Sequence, residues 1–296
     1  MVYRAHFGLR EPPFGITPDT SFFFACSSIQ EALNTLLVAV ANGEGFIKIT
    51  GEVGTGKTLL CRKFLSTLED TWVSAYVPNP NMDSDSLLRA LADEIGVKLD
   101  DGIDQHRIMK AINLRLLDLA RERKRVVVCL DEAQAMPRET LETLRLLTNL
   151  ETEKRKLMQV ILFGQPELDE RLAHESVRQL RQRITFQHTL GRMTQSETSH
   201  YVAHRLTVAG YRGAPIFTGG AVRRIYAASQ GVPRLINILS NKAMMLAFGE
   251  GKHRVGWRHA RAAAADTPAG YPLTRAWVWL VAAGIIGTGI GWLLVR

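Results

Sequence analysis

Between residues 45 and 190 the chain alternates two kinds of pattern. Short strand-like runs of apolar and β-branched residues fall at 45–50, 72–77, 126–130, 158–163 and 184–189. Between them, apolar positions recur at helical spacing over 57–68, 84–95, 105–123, 139–151 and 167–182, the last broken. Strands that alternate with helices predict an α/β domain, a parallel sheet with helices on both faces. From Thr194 onward the strand-like runs stop. The segments 195–209, 218–229 and 233–248 carry helical periodicity alone, which predicts a small all-helical second domain.

The pattern changes again near the C-terminus. From Ala276 to Val295 run twenty residues without a charge, AWVWLVAAGIIGTGIGWLLV, framed by Arg275 and Arg296. At helical rise such a run spans about 30 Å, one hydrocarbon core. Trp277, Trp279 and Trp292 stand near its two ends, where aromatic rings favour the water interface, and the basic flank lies on the side of the globular part. The expectation is a single-pass transmembrane helix with the bulk of the chain in the cytoplasm; the competing reading is a core helix at the end of a soluble domain. Gly287 and Gly291 form a GxxxG pair that would let two such helices pack closely. Residues 262–274, small and containing Pro and Gly, read as a linker. The expected organisation is thus an N-terminal segment (1–30), a sheet domain (31–191), a helical domain (192–261), a linker (262–275) and a membrane helix (276–295).

Length and charge refine this. At 296 residues the chain has material for two globular units. The net charge of +8 is uneven: residues 171–261 hold fifteen Lys/Arg against three Asp/Glu, whereas residues 1–170 hold twenty against twenty-five. A basic second unit suits nucleic acid, anionic lipid, or arginines that read phosphates at a subunit boundary, and charge sign does not choose among them. Cys26, Cys61 and Cys129 occur singly, as reduced thiols of a cytoplasmic protein do. The N-terminus lacks the pattern of a secretory signal peptide.

The chemistry begins where the first strand meets its helix. Gly51-Glu52-Val53-Gly54-Thr55-Gly56-Lys57-Thr58 fits GxxxxGK[ST] at every fixed position, and Leu59 follows it into the helix. Glycines let consecutive backbone N–H groups curl around a phosphate, Lys57 brings a positive charge for the β- and γ-oxygens, and the Thr58 hydroxyl is a Mg²⁺ ligand. A nucleoside triphosphate site is predicted, with ATP and Mg²⁺ as its occupants. A second motif, Val126-Val127-Val128-Cys129-Leu130-Asp131-Glu132, is an apolar strand that ends in two acids. At the carboxyl end of a parallel strand, Asp131 is placed to hold the metal and Glu132 to polarise the attacking water.

The order of phosphate loop, acidic strand end, further strand and helical domain resembles the AAA+ ATPases, P-loop NTPases that carry a helical lid. That resemblance implies further roles. Gln165, after the strand at 158–163, takes the polar position that orients the lytic water, although a polar turn residue beside Pro166 is its plainer reading. Arg181 and Arg183, in VRQLRQRI, fall where an arginine finger points into the next subunit's nucleotide, with Arg183 favoured and a solvated basic helix face as the alternative. A finger implies a homo-oligomer, a ring in this family. Arg234, in Gly231-Val232-Pro233-Arg234, matches a lid arginine that touches the γ-phosphate.

The N-terminal run from Tyr3 to Thr20 with Phe22-Phe23-Phe24, the loop GEVGTGKT, the segment LDEAQ and the segment FGQPEL together resemble the ExeA/GspA-like branch. Its members join a cytoplasmic ATPase to one membrane helix and serve type II secretion or type IV pilus assembly. The sequence lacks the periplasmic peptidoglycan-binding part beyond Arg296, which places the resemblance nearest the MshM-type ATPases of the MSHA pilus. The branch implies adenine contacts at Phe14 and Ile16, an inner-membrane location, and pilus or secretion proteins as partners. Transposition helpers of the TniB type share the ATPase module and supply the alternative, a DNA-handling ATPase; nucleic acid is not the expected partner.

Overall fold

A computed structural model describes residues 2–100, 102–147, 151–152 and 155–267. Along the chain run α1 (Arg4–Phe7), α2 (Ser27–Ala41), β1 (Phe46–Gly51), α3 (Lys57–Leu65), β2 (Trp72–Val77), α4 (Ser84–Glu94), α5 (Gln105–Arg121) and β3 (Arg125–Leu130). Then follow α6 (Arg138–Leu147), the two-residue strands β4 (Glu151–Thr152) and β5 (Arg155–Lys156), β6 (Met158–Gly164), α7 (Glu167–Ala173), α8 (Arg178–Arg181) and β7 (Ile184–Leu190). Among the described residues four helices come last: α9 (Gln195–Val208), α10 (Gly219–Ser229), α11 (Pro233–Gly249) and α12 (Trp257–Ala265). Among the described residues two compact units result, Pro18–Gly191 and a second made of residues 2–17 with residues 192–267. The first thirty residues, expected as one segment, are therefore divided between the two.

The first unit is a five-stranded parallel sheet in the order β2-β3-β6-β1-β7. The period-2 alternation of its strands sorts two apolar sets. Phe46, Ala75, Val77, Val126, Val128, Leu130, Val160 and Leu162 join the cluster built by α4 to α8. Ile47, Ile49, Val127, Cys129, Ile161 and Phe163, all fully buried, have side chains on the other face, where α2 and α3 pack. A central strand covered on both sides needs a continuous apolar run, which is why β1, β3 and β6 were readable by hydropathy alone. The edge strand β7 alternates instead, with Thr185, Gln187 and Thr189 exposed.

All five predicted sheet strands are present, and the break expected within 167–182 separates α7 from α8. Residue 151, expected to close a helix, instead pairs in an antiparallel ribbon, Glu151 with Lys156 and Thr152 with Arg155. The charged run there has no apolar stripe to hold a helix against the sheet. The expected linker also begins too early. Residues 262–265 complete α12, where Ala260 and Ala263 are buried and the alanine run favours helix.

The second unit buries Tyr3, Phe7 and Phe14 together with Tyr201, Leu206, Phe217, Ile225, Ile236 and Leu239. Its N-terminal segment is tied down by polar groups. Arg205, 5% exposed, donates to the carbonyls of Pro13 and Gly15; Asn237 also donates to Gly15, and the Tyr201 hydroxyl donates to Asn237. Thr194 and Glu197 form a capping box at the start of α9. Gly231, at φ +75°, lies so close to the segment between β7 and α9 that a Cβ would stand 2.0 Å from the Met193 carbonyl oxygen. Among the described residues no helix is long and apolar enough to cross a membrane. The expected membrane helix, 276–295, lies outside the described residues.

Candidate functional site

Three neighbouring strands, β1, β6 and β3, release their chains at the same end of the sheet. From β1 comes the phosphate loop, from β3 Asp131 and Glu132, and from β6 Gln165. The loop's turns depend on Gly54 and Gly56, which hold φ values of +81° and +104° that a side chain would strain. Gly56 leads directly into α3, so the loop's amides and the positive end of the helix dipole face the same space.

Lys57 is 5% exposed and folds back on the loop, its Nζ donating to the carbonyls of Gly51 (2.7 Å) and Glu52 (3.1 Å). Burial lowers its pKa from the ordinary lysine value, while Glu132, Asp131, Glu52 and Glu167 pull it back up. The Thr58 hydroxyl donates to Asp131 Oδ2 at 2.6 Å. Asp131 is 2% exposed, and burial raises its pKa against the lowering pull of that hydroxyl and of the Glu132 amide. Hard oxygens from a hydroxyl and a carboxylate, brought together beside a phosphate loop, are the donor set Mg²⁺ takes in triphosphate sites. The residues present therefore fit the ion.

Glu132 sits at φ +54°, a left-handed backbone that a non-glycine residue adopts at a cost, and so turns out of β3. Its Oε2 accepts from two side-chain amides, Gln134 Nε2 at 2.6 Å and Gln165 Nε2 at 3.0 Å. The Gln165 N–H donates in turn to Gln134 Oε1 at 2.9 Å. Two amides thus hold one carboxylate oxygen and leave Oε1 to accept from water. The sequence pattern LDEAQ assigns Gln134 no role; its position two residues beyond the acid is the signal that marks it. Tyr76, on β2, was missed outright. Its hydroxyl lies 3.5 Å from Asp131 Oδ2, and its pKa is pushed up to about 12 by burial and then by the Asp131 charge.

Behind the loop, Cys61 of α3 and Cys129 of β3 are fully buried. The hydrogen bond to Cys129, then burial, raises the Cys61 pKa, so Cys61 is a packing thiol kept protonated.

The remaining expected residues lie elsewhere. Arg181 is exposed and lines an open cavity with Lys48, Asp169 and His188; Lys48 and Asp169 form an ion pair there. Arg183 is half-buried, with its guanidinium 3.4 Å from the Arg145 carbonyl oxygen. Both precede β7, whose first residue Ile184 is level with Phe46 at the start of β1. Five residues of strand, about 16 Å, separate that level from Gly51. Phe14, Ile16 and Arg234 belong to the helical unit. Phe14 is 2% exposed and meets Phe217 edge-to-face at 5.8 Å, Ile16 is exposed, and Arg234 is exposed in the first turn of α11.

This arrangement is that of a P-loop nucleotide site, and residues 40–172 match the family model of the AAA domain. The general secretion pathway protein A of Aeromonas hydrophila is 41% identical over 254 residues, 86% of this chain. The chain belongs to the ExeA/GspA-like AAA+ ATPase family. It spans about half the length of that relative, 46%. Among solved structures, the ORC2 protein of Aeropyrum pernix aligns at TM-score 0.65 and 17% identity over 88% of this chain and 74% of its own. The ORC1 protein of the same organism, solved in complex with DNA, aligns at 0.60 and 18% over 86% and 69%. The RuvB Holliday junction branch migration motor of Thermotoga maritima aligns at 0.55 and 16% over 84% and 72%. At such identities these likenesses speak for the fold alone.

Proposed function

We propose that this ExeA/GspA-like protein is a Mg²⁺-dependent ATP hydrolase, tethered to the bacterial inner membrane by residues 276–295, that supports assembly of a type IV (MSHA-like) pilus or a type II secretion apparatus. The observation that carries the catalytic part is the cluster of Thr58, Asp131, Glu132, Gln134 and Gln165 at the ends of three adjacent strands. Lys57 exchanges its two carbonyl partners for phosphate oxygens when the triphosphate enters. Thr58 and Asp131 would hold Mg²⁺, which would screen charge on the phosphates. Glu132, fixed through Oε2, accepts the proton of the attacking water at its other oxygen, and Gln165 orients that water.

Arg181 and Arg183 stand too far along the sheet from the loop of their own chain to serve it, which supports a finger acting in the next subunit of a homo-oligomeric ring. Exposure favours Arg181 over Arg183 for reaching a neighbour. Arg234, and Phe14 with Ile16, are proposed as the lid's γ-phosphate and adenine contacts. The secretion-pathway relative supports the assembly role, and the uncharged run 276–295 supports the membrane location. The test is ATP hydrolysis by the full-length chain in vesicles, with and without Mg²⁺. Turnover that persists in chelator, or that survives Lys57→Ala, would sink the reading. A DNA-handling role is the alternative, favoured by the basic stretch 171–261; it requires duplex binding that weakens steeply with salt.

A further inference from the structure

The outward side of α12 is chemically distinct from the rest of the helical unit. Residues 252–261, KHRVGWRHAR, hold four Lys/Arg and no Asp or Glu. His259, Ala260 and Ala263 are buried where α12 packs on α10 and α11. That leaves Arg258, Arg261, Ala262 and Ala265 along one exposed stripe, with Arg254 just before the helix and Trp257 50% exposed at its start. The Arg261 guanidinium lies over the Trp257 ring, 5.9 Å from its centroid. Among the described residues, no carboxylate is within ion-pairing distance of Arg254, Arg258 or Arg261. The nearest acids in the chain are already engaged, Glu250 by Lys252 and His259, and Asp266 by Lys242.

A plain solvated helix face mixes charge signs or pairs them at helical spacing. Here three guanidinium groups without an ion-pair partner stand within eight residues of chain that also carry a large exposed ring, with Arg261 over that ring. Guanidinium groups attract acidic headgroups, each basic residue near an anionic bilayer adding about 1 kcal/mol, and an indole favours the interface itself. Chain path adds a second argument, which rests on the anchor reading above. Thr267 is buried in the unit, so only residues 268–275 join it to the uncharged run 276–295, and eight residues reach at most about 30 Å. The end of α12 must then stay within that distance of the bilayer. Duplex DNA would use the arginines equally well, but neither the exposed tryptophan nor the short tether answers to it.

We propose that the face formed by Arg254, Trp257, Arg258 and Arg261 docks on the anionic headgroup surface of the membrane, holding the helical unit against the bilayer. The test uses the full-length chain carrying Ile285→Gln, Ile286→Gln and Ile290→Gln, which spoils the uncharged run without altering charge. It is sedimented with vesicles of phosphatidylcholine alone and of phosphatidylcholine with phosphatidylglycerol. Binding is expected only with phosphatidylglycerol, falling with salt, and Arg254→Ala, Arg258→Ala and Arg261→Ala together should weaken it on the order of 100-fold. No binding, equal binding to both vesicles, or binding unchanged by the three alanines overturns the proposal. So does a result in which the same arginines bind duplex DNA and not vesicles. The anchor reading fails separately: alkaline carbonate would then extract the unaltered chain from membranes as readily as its glutamine variant.

Discussion

Glu132 shows how much of the site depends on single atoms. Its Oε2 is held by two amides, and its backbone is in a left-handed turn that aims the side chain away from β3. Glu132→Gln keeps the shape and removes the proton acceptor, so ATP binding should persist while turnover falls about 10²- to 10⁴-fold, as a binding isotherm beside a phosphate-release assay would read. An unchanged rate would reject the role. Gln165→Ala removes one of the two amides and should cost turnover with little effect on nucleotide affinity. Asp131 makes a different trade. Its pKa is raised on folding, so the ionised form is penalised in the native state above the ordinary carboxylate pKa, and that penalty is relieved as pH falls through the raised value. Neutralising it should therefore stabilise the nucleotide-free protein: Asp131→Asn is expected to raise Tm at neutral pH, with a smaller gain in acid, and to abolish Mg²⁺-dependent hydrolysis. A lower Tm at neutral pH would mean that the Thr58 bond outweighs burial.

At the scale of elements, what was legible in the sequence followed burial. β1, β3 and β6 are covered on both faces, so their apolar runs could be read directly, and the phosphate loop and the acidic pair at the ends of β1 and β3 came with them, whereas Gln165 after β6 rested on the family resemblance. Gln134 and Tyr76 escaped because one reaches Glu132 through a local turn and the other arrives from a strand three positions away from the loop's own. Residues 1–30 were misread as one segment because hydropathy does not reveal partners. Phe14 and Phe22 are similarly buried apolar residues, yet they belong to different units, and the ties beside the first come from Arg205 and Asn237, 192 and 222 residues beyond the carbonyls they hold. The alanines of α12 looked like linker because small residues have no apolar stripe to display. The loop before α11 is the element most sensitive to change. A Cβ at Gly231 would collide with the Met193 backbone, which no rotamer can relieve, and its φ is left-handed besides. Gly231→Ala should cost about 2–4 kcal/mol, measured by denaturant unfolding, and a neutral result would show that the two strands of chain can part freely.

Over the whole molecule, the placement of the arginines sets a condition on catalysis. Arg181 and Arg183 enter at the amino end of β7, whereas every group that touches the nucleotide loop sits at the carboxyl ends of the strands. A guanidinium extends several ångströms from its backbone, not the about 16 Å that five strand residues occupy. If either arginine contributes to the reaction, it does so in a second copy of the chain. Hydrolysis per molecule should therefore rise with protein concentration, and again when the full-length chain is confined to vesicles, where two-dimensional crowding raises the effective concentration. The two arginines are then separable. Arg181, exposed, should on replacement by alanine lose on the order of 10³-fold in turnover without loss of ATP binding, while Arg183→Ala, which removes a contact to the Arg145 carbonyl, should act mainly on stability. Mixing supplies the decisive control. Arg181→Ala still has an intact loop and Lys57→Ala still has an intact arginine, so the two inactive proteins together should recover part of the activity by completing each other's site. Mixtures as inactive as their components, with wild-type turnover flat in concentration, would place the whole reaction in one chain and remove the arginine from it.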